Sequence, residues 1–66
     1  MRIIINNFTI NIFSGAKLID ALRMYISQRN ENFSIDDVFV EDKYGNKIEI
    51  DGSLKNNKSY FIKFKK

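Results

Sequence analysis

The sequence predicts a small α+β domain, in which one helix packs on one face of a mixed β-sheet. Three observations support this fold class. Apolar residues near both ends of the chain recur at every second position, which is typical of β-strands. One segment alone, residues 16–28, repeats its apolar residues with a helical period. With 66 residues, the chain has the length of a single domain.

A β-hairpin is predicted over residues 2–13. Its apolar side chains fall on alternate positions: Ile3, Ile5, Phe8, Ile10 and Ile12. The pair Asn6-Asn7 is a candidate two-residue turn, because asparagine tolerates a positive φ angle better than most residues.

The helix is expected over residues 16–28, after the break at Ser14-Gly15, with Ser14 as a candidate cap. Its apolar stripe has the i, i+3, i+4, i+7 spacing: Leu18, Ala21, Leu22, Tyr25 and Ile26. Asp20 suits the positive N-terminal end of a helix, and Asn30 suits the C-terminal end.

Three short strands are predicted in the second half of the chain, over residues 38–40, 47–50 and 59–65. Ser34 and Asp37 form a capping-box pattern before the first of them. Leu54 is an isolated apolar residue in a polar loop, and we expect it to plug the underside of the sheet. Alternation in the last strand predicts one inward-facing set: Tyr60, Ile62 and Phe64.

The residue types present exclude several kinds of chemistry. The chain has no cysteine and no histidine, so disulfides, thiolate or imidazole metal ligands, histidine bases and cysteine nucleophiles are excluded. The acidic residues lack the spacing of a calcium loop. No apolar run approaches the ~20 residues of a membrane-spanning helix. We therefore expect a cytoplasmic, non-catalytic protein with neither a metal nor a cofactor.

The order ββαβββ in this length resembles the β-grasp (ubiquitin-like) fold. Its small bacterial branch is the most similar: sulfur carriers of the ThiS/MoaD type, TGS domains and plant-type ferredoxins. Residues 3–7 (IIINN) resemble the opening strand and turn of that branch. Residues 14–22 (SGAKLIDAL) resemble the start of its helix, and residues 50–57 (IDGSLKNN) resemble the loop before its closing strand. The resemblance implies a fold more than a function.

The chain departs from two members of that branch. Sulfur carriers end in Gly-Gly, whereas this sequence ends in Phe64-Lys65-Lys66. A degenerate sulfur carrier is therefore only a second alternative. Ferredoxins hold iron with four cysteines, and the absence of cysteine excludes that function.

The face of the sheet away from the helix is the predicted interaction surface, here called the open face. Alternation places Ile4, Phe39 and Phe61 on it, and the β-grasp strand order would set them side by side, flanked by Arg2 and Lys63. Contiguous apolar patches usually mark contact surfaces. The resemblance also implies this use, because many ubiquitin-like modules bind partners through the same face. The sequence therefore predicts a protein-interaction module that binds a partner protein, or weakly a second copy of itself.

Uneven charge supports an alternative function, nucleic-acid binding of the TGS type. Residues 36–51 hold six acids and two lysines, whereas residues 55–66 hold five lysines and no acid. Lysines interleaved with aromatic residues can bind phosphates and stack bases. The candidate residues are Lys55, Lys58, Tyr60, Lys65 and Lys66. The acidic segment would repel phosphates, so this function ranks second.

Overall fold

The secondary structure follows the order ββαβββ. The computed structural model describes residues 1–65. The strands are β1 (Arg2–Ile5), β2 (Phe8–Asn11), β3 (Val38–Asp42), β4 (Lys47–Ile48) and β5 (Ser59–Phe64). Helix α1 spans Leu18–Arg29, and a 3₁₀ turn, Ile35–Asp37, leads directly into β3. The fold class is α+β.

All five strands join one mixed sheet in the order β2-β1-β5-β3-β4. The central strands β1 and β5 are parallel, and the other neighbouring pairs are antiparallel. Helix α1 and one face of the sheet enclose the core. Its largest fully buried side chains are Ile3, Ile5, Ile10, Leu18, Leu22 and Val40. Within residues 1–65, no helix is long and apolar enough to cross a bilayer.

The hairpin turn forms at Asn6-Asn7, as predicted, with φ angles of 49° and 69°. Asn6 has a second role. Its side-chain Oδ1 accepts a hydrogen bond from the backbone N–H of Ile62 at 3.0 Å, and its own N–H donates to the carbonyl of Tyr60 at 3.0 Å. The turn is therefore attached to β5 as well as joining β1 to β2.

Helix α1 begins at Leu18, two residues later than predicted, and Ser14 does not cap it. Lys17 is the extended N-cap residue, and its N–H donates to the Asp20 carboxylate at 3.0 Å. The N–H groups of Leu18 and Ile19 donate to the carbonyls of Gly52 and Ile50, at 3.0 and 2.8 Å. Because this distant loop satisfies the first helical donors, the chain stays extended up to Lys17.

The same loop shortens β4, which was predicted over residues 47–50 and ends at Ile48. The Ile50 carbonyl accepts from the helix, and the Glu49 carbonyl accepts from Gly52 N–H at 3.0 Å, which closes a turn. Residues 49–52 therefore cap α1 instead of extending the sheet. Leu54, which follows them, is buried as predicted.

The other predicted caps are present. Asn30 ends the helix in the left-handed conformation with φ 53°, and the N–H of Glu31 returns to the carbonyl of Ile26 at 3.0 Å. Ser34 Oγ accepts from Asp36 N–H at 3.2 Å, while Asp37 accepts from Ser34 N–H at 3.1 Å. This reciprocal pair is a capping box.

One residue of the predicted inward-facing set lies on the helix side, as predicted, but is not buried. Tyr60 and Ile62 are buried, but Phe64 is 57% exposed. Phe64 lies at the last residue of β5, opposite Val38, on the helix side of the sheet. There Phe33, from the loop after α1, packs edge-on against it with ring centroids 5.4 Å apart. A strand pattern gives the direction of a side chain but not how far the covering helix reaches.

Candidate interaction surfaces

Ile4, Phe39 and Phe61 occupy the open face, as the alternation predicts. Each is half-buried, and each lies between residues whose side chains are buried under α1. Several partly buried apolar side chains pack against the core, but Ile4, Phe39 and Phe61 are not among them. Their apolar side chains therefore do not belong to the core under α1.

The three apolar residues lie on a diagonal, not side by side as predicted. Ile4 is opposite Ser59 in the parallel pair β1–β5. Phe61, two residues further along β5, is opposite Glu41, and Phe39 is opposite Lys63. Diagonal neighbours in a sheet are about 7–8 Å apart, within reach of aromatic side chains. The open face therefore has an oblique apolar stripe with polar residues on both sides.

Charged side chains interrupt the open face around Phe39. Lys63 is directly opposite it, and the Lys47 ammonium lies 5.6 Å from the centroid of its ring. That distance allows a cation–π contact. Both lysines are exposed. The Phe39 end of the stripe is therefore basic at its margin.

Arg2 lies on the open face but is held by a loop. Its backbone N–H donates to Asn56 Oδ1 at 2.9 Å, and its Nε donates to Asn57 Oδ1 at 3.0 Å. These contacts fasten the loop before β5 to β1. Arg2, which was predicted to flank the apolar residues, therefore also has a structural role.

Three of the five candidate nucleic-acid residues, Lys55, Lys58 and Tyr60, line one open concavity at the start of β5, with a volume of about 230 Å³. Lys43 and Tyr44, from the turn between β3 and β4, line it too. Sequence reasoning missed both of these residues. Tyr44 is 72% exposed, with the Lys43 ammonium 5.3 Å from its ring centroid.

The hydroxyl groups of the concavity add hydrogen-bonding capacity. The Tyr60 hydroxyl accepts from the backbone N–H of Lys55 at 3.3 Å, and the phenol has a proton of its own to donate. Ser53 and Ser59 also line the wall. Three lysines and four hydroxyl-bearing residues thus line a space large enough for a phosphate or carboxylate group.

One carboxylate, that of Asp42, also lines the concavity. Its Oδ1 accepts from the backbone N–H groups of Asn46 and Tyr44, each at 2.9 Å. The Asn46 bond foremost, helped by Tyr44 and by the positive charge of Lys58, lowers the pKa of Asp42 below its ordinary value, against a smaller opposing effect of burial. Asp42 therefore stays ionised, holds the β3–β4 turn and offsets part of the positive charge.

The other two basic candidates are not part of this concavity. Lys65 follows β5 at its far end and lines a shallower depression that also includes Phe39 and Lys47. Lys66 lies outside the described residues. The basic C-terminal segment is therefore not one continuous surface over residues 55–65.

In the part of the chain that the structure describes, no three acidic residues lie close enough together to hold a metal ion. No protein-family model matches the chain, and no curated protein sequence is significantly similar to it.

Proposed function

We propose that the chain is a β-grasp domain and a non-catalytic protein-interaction module, acting in the cytoplasm. The strand order β2-β1-β5-β3-β4, with β1 and β5 parallel at its centre, supports the β-grasp assignment. One helix on one face of the sheet supports it further. The assignment matters for function because this architecture leaves the opposite face of the sheet without a covering helix.

The observation that carries the interaction proposal is the apolar stripe Ile4, Phe61 and Phe39 on the open face. These residues contribute little to the core, so core packing does not explain their apolar character. Covering them would release about 25 cal/mol per Å² of apolar surface removed from water. Lys47 and Lys63 stand at one end of the stripe. The Phe39 end of the surface therefore suits a partner protein whose apolar side chains are bordered by carboxylates, whereas Glu41, opposite Phe61, suits a basic group there.

A matched pair of substitutions on β5 tests this proposal. Phe61→Ser removes the centre of the stripe, whereas Phe64→Ser removes an exposed phenylalanine from the opposite face of the same strand. With the protein immobilised as bait, we expect partners retained by the wild type and by Phe64→Ser to be lost from Phe61→Ser. The captured partner, added to isotope-labelled protein, should shift amide resonances around Ile4, Phe39 and Phe61. Equal capture by both variants, or shifts confined to another surface, would contradict the proposal.

A second candidate function, binding of single-stranded nucleic acid, is favoured by the concavity at the start of β5. It brings Lys43, Lys55 and Lys58 together with Tyr44, an exposed aromatic ring on which a base can stack. Base–aromatic stacking with a positively charged groove is the usual mode of single-strand binding. The phosphate backbone of the strand would lie along the lysines, and one base would stack on the ring of Tyr44.

Salt dependence tests this second candidate. Each lysine–phosphate contact with a single strand contributes about 0.7 to the slope of log Kobs against log salt. Lys55→Gln combined with Lys58→Gln should therefore lower that slope by about 1.4 for a fluorescent RNA oligonucleotide. The matched control, Lys63→Gln with Lys65→Gln, removes the same charge outside the concavity and should leave the slope unchanged. Equal losses in both double variants would indicate diffuse attraction and refute a site.

A further inference from the structure

The outer edge of β2 is the feature that the proposed function does not use. β2 is the first strand in the sheet order, paired on one side with β1. Within residues 1–65, no strand pairs with its other side. An unpaired strand edge offers a row of backbone donors and acceptors to another strand.

The hydrogen-bond pattern shows which backbone groups form that row. Met1 and Ile12 exchange both of their backbone bonds, at 2.9 and 2.8 Å. In an antiparallel pair, such exchanging positions alternate with positions whose N–H and C=O point outward. The groups of Ile10 and Ile12 therefore face β1, whereas those of Thr9 and Asn11 face outward.

The strand itself has none of the usual protections against pairing, although the Arg29 guanidinium of α1 lies 5.2 Å from the ring of Phe8 at the start of β2. Natural proteins protect exposed edges with charged side chains, prolines or bulges. Residues 3–16 contain no charged residue and no proline, and the β1–β2 register runs without a bulge. Just beyond the strand, Phe13 is 64% exposed. The edge thus combines free hydrogen-bonding groups with apolar surface.

We infer that β2 pairs antiparallel with β2 of a second copy of this chain, which joins two sheets into one. A two-fold axis places the segment against the same segment of the other copy. Any charge near the axis would therefore face, and repel, the identical charge on that copy. A charge-free segment is what such self-pairing requires. The axis stands perpendicular to the sheet, so both helices lie on one side and the two open faces on the other. The dimer uses the strand edge and is independent of the partner proposed for the open face.

Asn11→Pro tests the edge directly. Proline removes an outward N–H and leaves the bonds between β1 and β2 intact, a position where a strand tolerates it. By sedimentation equilibrium we expect a concentration-dependent dimer for the wild type. In the variant, each copy loses one donor, so dimerisation should weaken roughly ten- to thirtyfold. The thermal unfolding midpoint of the monomer should change little.

A second variant and a direct measurement on the wild type distinguish loss of the dimer from misfolding of the variant. Asn11→Lys places like charges across the axis and should also give a monomer, whereas Gln28→Lys adds the same charge on the exposed end of α1 and should remain dimeric. Amide hydrogen exchange of Thr9 and Asn11 should slow as the wild-type protein concentration rises. A wild type that is monomeric at every concentration, or a dimer broken by Phe61→Ser and not by the Asn11 variants, would overturn the inference.

Discussion

Leu22→Ala is expected to unfold most of the protein. Leu22 is fully buried on the face of α1 that packs against the sheet. Truncating a buried leucine to alanine costs about 2–5 kcal/mol, because the lost apolar contacts leave a cavity. A core in a chain of this size contributes only about 3–5 kcal/mol of net stability. The change is therefore comparable with the whole free energy of unfolding.

Urea denaturation followed by circular dichroism measures this loss. The matched control is Arg23→Ala, at the next helical position, whose side chain is exposed. We expect that control to stay within about 0.5 kcal/mol of the wild type. A loss below about 1 kcal/mol for Leu22→Ala would show that α1 does not supply the main core contacts.

Asn6→Ala is expected to cost about 2–5 kcal/mol, far more than a change in an exposed turn usually does. Two effects add. Alanine disfavours the positive φ of 49° at this position, by about 1–2 kcal/mol. The partly buried N–H of Ile62 also loses its acceptor, the Asn6 side-chain oxygen, which costs about 1–3 kcal/mol.

Two companion variants separate these effects in the same denaturation experiment. Asn7→Ala changes a residue of similar φ, 69°, and should lose only the backbone contribution. Asn6→Gly permits the positive φ and should lose only the hydrogen bond to Ile62. Equal losses for Asn6→Ala and Asn7→Ala would mean that the bond between the turn and β5 contributes nothing.

Local patterns predicted the faces of the strands because side-chain direction in a strand is a local property. Ile3, Ile5, Val38 and Val40 are buried by simple alternation. The Asn6-Asn7 turn was likewise predictable from the tolerance of asparagine for positive φ. The second role of Asn6 was not, because its partner Ile62 is 56 residues away in the sequence.

Element ends were predicted less well because distant backbone groups decide them. Whether α1 begins at residue 16 or 18 depends on the carbonyls of Ile50 and Gly52. No pattern within residues 14–20 contains that information. The shortened β4 has the same cause, since the Ile50 carbonyl binds the helix instead of a neighbouring strand.

Predicting the candidate surfaces required the register between the strands as well as the alternation of side chains along each strand. Alternation placed Phe39 and Phe61 on one face, but only the pairing of Phe39 with Lys63 shows that they lie diagonally. Lys43 and Tyr44 were missed because they join Lys58 only where the β3–β4 turn meets the start of β5. The signal available in the sequence was a tyrosine in a turn next to a lysine, which is common on any surface.

The most direct test of the interaction proposal compares two neighbours on β5 that face opposite ways. Phe61 is half-buried on the open face, and Ile62 is buried under α1. We expect Phe61→Ser to lose the partner while its free energy of unfolding falls by no more than about 1 kcal/mol. Ile62→Ser should unfold the protein, because it removes core packing. If Phe61→Ser destabilises the protein as much as Ile62→Ser does, Phe61 serves the fold and the open face is not a binding surface.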